Sequence, residues 1–229
     1  MRIDILVPVY VDLWNKGIRD ILEPVKAPDI ALYISNLHTG VPSMESEYDV
    51  AIASHLIVAK AEQLEIEGSD GIVLYCFKDP ALNACKEKLN IPIVGLRESS
   101  IALASLIGNN IAVITSRKYS VSCYKRALEG KVKLVTDLGI PVLELSEYRK
   151  VEASLDKKLA DVVDAGCDVV VLGCGSIIGL DFKRLSAKHG IEIVLPAIAA
   201  LSTCEYLIRA SLRQSRLAFP TPEIKDIKL

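Results

Sequence analysis

Two blocks of this chain repeat one another at an offset of 98 residues: residues 68–76 read GSDGIVLYC and residues 166–174 read GCDVVVLGC. Glycine, aspartate, a valine-rich run, leucine and cysteine recur in one register. Each run is apolar without alternation, as expected of a strand covered on both faces of a parallel sheet. Each block continues through helical spacing to a second apolar run, IPIVG at 91–95 and IEIVLP at 191–196. A period near 100 residues is longer than the roughly 20–50 residues of solenoid repeats and suits two similar α/β lobes. Strand-ending sequences of the form G-x-D-x-V-V-x-L are generic to parallel sheets. A cysteine closing both of them is not. Elsewhere the halves resemble each other weakly, with Ile3–Pro8 and Ile111–Ser116 as counterpart first strands.

Around the repeat, short β-branched runs alternate with longer amphipathic ones. Strands are expected at Ile3–Val9, Ala31–Ser35, Gly71–Tyr75, Ile91–Gly95, Ile111–Thr115, Pro141–Leu145, Val169–Gly173 and Ile191–Leu195. Within Tyr48–Ile66, the residues Val50, Ala53, Ile57, Ala61 and Leu64 share one helical stripe. Asp79-Pro80 reads as an N-cap followed by proline at the first helical position. Asp181 is a second N-cap, and Gly166 and Gly190 fit the position after a helix end. The expected fold class is α/β, with two pseudo-symmetric lobes, each a mainly parallel sheet flanked by helices. Residues 1–98 plus 197–229 make the first lobe and 99–196 the second, with the C-terminal helix packing on the first and the active site in the cleft between them. Trp14 is expected to pack the first helix, and the tail after Arg216, with FPTP, to be a surface extension or a subunit contact.

Composition narrows the function classes. With 51% hydrophobic and 24% charged residues, a net charge of −2 and a pI of about 6.0, the chain reads as soluble and globular. It shows no basic stripe that would suit a nucleic acid, and Lys183–Arg184 reads as a solvated helix face. The N-terminus lacks the pattern of a signal peptide, and no run approaches the roughly 18 apolar residues of a membrane span. The expected location is therefore the cytoplasm, where thiols stay reduced. Six cysteines in that setting are not a disulfide framework. With no C-x-x-C pair and with His38, His55 and His189 scattered, they do not suggest zinc either. Neither a metal nor a cofactor is expected. His38, in a loop, reads as solvent-exposed.

Cys76 and Cys174 stand where ligands bind parallel sheets, at the carboxyl ends of strands. Two related lobes facing each other bring both thiols to one cleft from opposite sides. Inverting a stereocentre without a cofactor needs a base on one face and an acid on the other. Cysteine serves both, because its ordinary pKa of about 8.5 lets thiol and thiolate coexist near neutrality. A helix start at Asp79 would favour the Cys76 thiolate. The turn GCGSIIG after Cys174 offers free backbone N–H groups to a carboxylate or an enolate oxygen, and Phe77 and Lys78 offer equivalents in the first half. Cys85, Cys123, Cys167 and Cys204 read as packing residues. Glu45 and Glu98 either orient substrate or cap helices.

Four motifs then resemble the aspartate/glutamate/hydantoin racemase superfamily, most closely its hydantoin racemase branch, over nearly the whole chain. They are Cys76-Phe77-Lys78-Asp79-Pro80 (family C-F-x-D-P), Leu172-Gly173-Cys174-Gly175-Ser176 (L-G-C), Ile91 to Glu98 (IPIVGLRE), and Gly40-Val41-Pro42-Ser43-Met44-Glu45-Ser46 leading into Tyr48-Asp49. The resemblance implies cofactor-independent racemisation with Cys76 and Cys174 as acid and base, a small-molecule substrate, and a homo-oligomer. It further implies substrate contacts near Ser43, Phe77, Thr115, Ser116, Gly175 and Ser176. A 5-substituted hydantoin fits, because its labile proton lies beside a ring carbonyl. Two departures stand out. Val7-Pro8-Val9 replaces the branch's N-P-N turn, which puts Val9 where a substrate-contacting asparagine is usual. Lys78 replaces a glycine beside the first cysteine and either faces solvent at a helix start or points inward to the thiolate or to an anionic substrate, which leaves amino-acid, hydantoin and allantoin-like substrates open. Aspartate or glutamate racemases usually follow the second cysteine with threonine, against Gly175-Ser176 here. Arylmalonate decarboxylase keeps one cysteine, whereas maleate isomerase keeps both. A two-lobed, non-enzymatic binding protein would not need the cysteine pair.

Overall fold

In a computed structural model, which describes residues 1–223 and 225, the eight strands form two four-stranded sheets. The first contains β1 (Arg2–Val7), β2 (Ala31–Asn36), β3 (Gly71–Leu74) and β4 (Ile93–Gly95) in the order β2-β1-β3-β4. The second contains β5 (Ile111–Thr115), β6 (Leu134–Asp137), β7 (Val169–Leu172) and β8 (Glu192–Val194) in the matching order β6-β5-β7-β8. Every pairing is parallel. Leu6 pairs with Leu74 and Ile114 with Leu172 at the ends of the equivalent ladders. The sequence repeat is therefore a structural one. β3 and β7 are buried at every position, because helices cover both faces.

The helices are α1 (Asn15–Leu22), α2 (Glu47–Ile66), α3 (Leu82–Lys88), α4 (Leu96–Ile107), α5 (Lys118–Ala127), α6 (Tyr148–Asp164), α7 (Phe182–His189) and α8 (Pro196–Arg209). Helix α2 buries Ala53, Ile57, Ala61 and Leu64 on one stripe. Its N-terminus is closed by a capping box of Ser46 and Asp49, which exchange side-chain and backbone bonds. Asp181 caps α7 by accepting from the Arg184 N–H, and Gly190 ends that helix in the left-handed conformation.

Helices α4 and α8 join the halves. α4 follows the first sheet yet packs on β7 and β8, whereas α8 follows the second sheet and packs on β3 and β4. The two helices also pack on each other. Where α8 crosses β3, a side chain at Gly71 would lie 2.8 Å from the Cys204 sulfur. One hydrophobic core therefore runs through both sheets, with Ile5, Val73, Val113 and Val170 all in it. A second cluster, with Ile57, Leu64, Ile72 and Leu74, fills the space under α2 and α3.

Two expectations are corrected. Pro141–Leu145 is not a strand: Val142–Glu144 is a 3-10 turn, and the edge position belongs to Leu134–Asp137, which pairs only with β5. Pro141 has no N–H to give a ladder, and an edge strand half-buried at most positions carries little apolar signal. Asp79-Pro80 does not start a helix. Asp79 and Ala81 are left-handed (φ 49° and 54°) and α3 begins at Leu82. Ahead of the tail, Arg216 anchors the chain by donating to the carbonyls of Lys86, Glu87 and Leu89.

Candidate active site

The strand-to-loop transitions after β3 and β7 set the site. Both strands end on leucine, and two residues later Cys76 and Cys174 emerge, half-buried, into one cavity. Its wall comprises Val7–Val9, Trp14, Ile18, Ser43, Met44, Tyr75–Phe77, Tyr124, Val142 and Gly173–Ser176. The cavity measures about 50 Å³, the space of a handful of waters at roughly 10–15 Å³ each. That size suits a compact ligand. No residue of this wall carries a charged side chain.

Contacts between the halves hold the wall in place. The Tyr75 hydroxyl donates to the Gly175 carbonyl at 3.0 Å, and a side chain at Gly175 would lie 2.8 Å from the Tyr75 ring. Glycine is thus required there for Tyr75 to approach. Phe77 meets Tyr124 of α5 edge-on, with centroids 5.2 Å apart. Glu45 accepts from Ser43 and pairs with Arg117 at 3.3 Å.

Burial sets the electrostatics of both thiols. It pushes the Cys76 thiol up to about 12, opposed by the Lys78 backbone N–H, while the charge on Cys174 adds to the rise. Burial also raises Cys174, against the backbone N–H groups of Ser176 and Ile177 and the Ser176 hydroxyl, with Glu45 raising it further. Each cysteine is therefore served by the backbone N–H two residues ahead. Burial holds the Tyr75 and Tyr124 phenols above their ordinary range, so both are neutral around pH 7.

A family model described as Asp/Glu/Hydantoin racemase matches residues 15–204. The chain is 25% identical to the hydantoin racemase of Paenarthrobacter aurescens over 225 residues, 94% of each chain. It is 28% identical to that of Rhizobium meliloti, covering 87% of this chain and 90% of that one. The solved structure of an allantoin racemase from Klebsiella pneumoniae superposes with a TM-score of 0.93 at 23% identity, over 100% of this chain and 96% of that one. The chain belongs to the Asp/Glu/Hydantoin racemase family. It is an isomerase of the racemase superfamily.

Within this racemase, Cys76, Cys174, Val9, Ser43, Phe77, Gly175 and Ser176 all reach the cavity wall. Thr115, Ser116 and Lys78 do not. Thr115 is buried and donates to the Gly173 carbonyl at 3.2 Å, which fixes the strand end beneath Cys174. Ser116 is buried and offers its backbone carbonyl to Ile140. The solvent-facing reading of Lys78 is corrected: its ammonium is buried, 3.3 Å from Glu47 and over the Tyr124 ring. The absence of a helix start at Asp79 turns this loop inward. Asp79 accepts instead from the N–H groups of Arg97 and Glu98 at 3.1 and 3.0 Å, capping α4 from another loop. Glu98 caps the same helix through the Gly95 N–H. Cys85, Cys167 and Cys204 are buried, but Cys123 is half-exposed with its sulfur 2.9 Å from Glu47. His38 is exposed.

Trp14, Ile18, Met44, Tyr75, Tyr124 and Val142 line the wall without having been singled out by spacing. Tyr75 alone left a signal: it matches Gly173, the largest difference in size between the two blocks. Among the described residues no helix is long and apolar enough to cross a membrane.

Proposed function

We propose that this racemase inverts the stereocentre of 5-substituted hydantoins by proton transfer between Cys76 and Cys174. The observation that carries the reading is the cavity itself: both thiols reach it, it admits a compact ligand, and its wall has no charged side chain. A wall without cations suits a neutral ring better than the two carboxylates of aspartate or glutamate.

In the reaction one cysteine is a thiolate and the other a thiol. The thiolate takes the C5 proton from one face: S–H forms, C–H breaks, and the electron pair moves into the adjacent carbonyl as an enolate. The opposite thiol then gives its proton to the other face of C5 and becomes the thiolate. Atoms and charge balance, and the enzyme is left ready for the other enantiomer. Burial disfavours the starting thiolate, and the backbone N–H groups at Lys78, Ser176 and Ile177 offset part of that cost. We assign residues 1–98 and 197–229 to one lobe and 99–196 to the other, which gives each lobe one cysteine. The expected state is a homo-oligomer that works without cofactor in the cytoplasm.

The test is deuterium uptake at C5 of enantiopure 5-alkylhydantoins in D2O, with allantoin and aspartate alongside. Wild type is expected to racemise the hydantoins with solvent deuterium. Cys76→Ala and Cys174→Ala are each expected to lose roughly 10²–10⁴-fold, the usual worth of a positioned acid or base. Racemisation surviving in either variant would overturn the two-base assignment, and turnover of aspartate alone would overturn the substrate class.

A further inference from the structure

Trp14 stands immediately before α1 and contributes to the cavity wall beside Val7, Val9 and Ile18. Its side chain is 6% exposed. Among the described residues, Trp14 Nε1 is one of two buried side-chain polar atoms without a hydrogen-bond partner. The other, Asn15 Oδ1, is not part of the wall. Leaving a donor buried and unpaired costs about 1–3 kcal/mol, and buried tryptophans usually pair theirs. A phenylalanine would fill most of the same space without that cost.

The surrounding wall has few donors to spare. Val7, Pro8, Val9, Met44 and Val142 have no side-chain donor. The Ser43 hydroxyl is given to Glu45, the Tyr75 hydroxyl to Gly175, and the Ser176 hydroxyl faces the Cys174 sulfur, which leaves the Tyr124 hydroxyl as the other donor on the wall. An indole N–H only donates, so its partner is an acceptor. In a wall without charged side chains that acceptor is a neutral carbonyl oxygen.

We propose that the Trp14 indole N–H is a substrate-binding donor that takes a ring carbonyl oxygen of the molecule held between Cys76 and Cys174. This rests on the hydantoin reading above and adds the residue that orients the ring. Two carbonyls are available. If the bond goes to the one beside C5, it strengthens as the enolate forms and acts on kcat. If it goes to the carbonyl between the two ring nitrogens, it acts on KM.

Trp14 is the one tryptophan of the chain, so protein labelled with ¹⁵N at the indole gives a single side-chain resonance. Saturating a 5-alkylhydantoin is expected to move its proton downfield. Trp14→Phe is expected to lower kcat/KM roughly three- to tenfold, the worth of a neutral hydrogen bond. The loss should shrink when the accepting carbonyl is a thiocarbonyl, and comparing 2-thio with 4-thio hydantoins identifies which one it is. A merely structural tryptophan would show the same loss with all three rings. An unmoved resonance while wild type racemises the hydantoin overturns the donor role and leaves the reaction standing. A moved resonance without racemisation leaves the donor standing and overturns the reaction. Neither response overturns both. Should Trp14→Phe fail to fold, the wild-type resonance decides alone.

Discussion

Cys76 and Cys174 each stand two residues beyond the leucine that ends an equivalent strand, yet their loops treat them differently. Cys76 is served by one backbone N–H, from Lys78, in a loop with two left-handed residues, Asp79 and Ala81. Cys174 is served by two backbone N–H groups and the Ser176 hydroxyl, in a loop rich in glycine. The first loop has given its acidic side chain to another task, since Asp79 caps α4. A duplicated strand end therefore fixes where a thiol goes and buries it, and the loop after it fixes how many donors oppose the rise that burial causes.

The largest expected effect concerns both loops at once. Because burial keeps both thiols above their ordinary pKa, the free enzyme is mostly dithiol at neutral pH. kcat/KM should climb about tenfold per unit as pH rises from 7 to 9. A flat profile would mean that one thiol is already ionised and that the comparison is drawn wrongly. Next in size is Ser176→Ala, which removes a donor from Cys174 alone. Hydrogen bonds to charged groups are worth about 1.5–3 kcal/mol, so kcat/KM should fall roughly ten- to hundredfold. It must fall equally for both enantiomers, since they are equally stable, and the rising limb of the pH profile should move to higher pH. If the limb stays in place, the hydroxyl does not act on the thiolate.

Asp79 tests the first loop through stability rather than through turnover. Burial among groups near α4 pushes its carboxyl up to about 7, from an ordinary value of 3.8, against the pull of Arg97. The folded chain therefore keeps this proton over a range where the unfolded chain has lost it. Stability should decline as pH rises from about 4 to 7, and Asp79→Ala should flatten that decline in urea titrations at several pH values. Parallel slopes would refute it. The smallest effect is expected from Tyr75→Phe, which removes the bond to the Gly175 carbonyl that couples the two loops. It should cost about 1 kcal/mol in denaturant unfolding, and no loss at all would argue that the loops are held by packing alone.

Much of this site could be read along the chain. The strands ending at Leu74 and Leu172 are continuous apolar runs, and the cysteine after each is a matter of counting. Asp181 and Gly190 were legible for the same reason: a cap acts within three or four residues of its own helix. Asp79 was misread because the helix it caps lies 18 or 19 residues away, at Arg97 and Glu98. No local spacing encodes that distance. Lys78 was ambiguous because its partners, Glu47 and Tyr124, belong to α2 and α5.

The sequence by itself determined the α/β class, the twofold internal repeat, the position of both thiols at strand ends and the racemase family. These follow from short-range periodicity and from residues fixed within one loop. Only the tertiary structure decided that α4 and α8 cross between the sheets, that Thr115 and Ser116 lie behind the wall of the site, and that Trp14 is part of that wall. Those features depend on which surfaces meet when the two halves close on each other, and close packing between distant segments leaves no period in the chain.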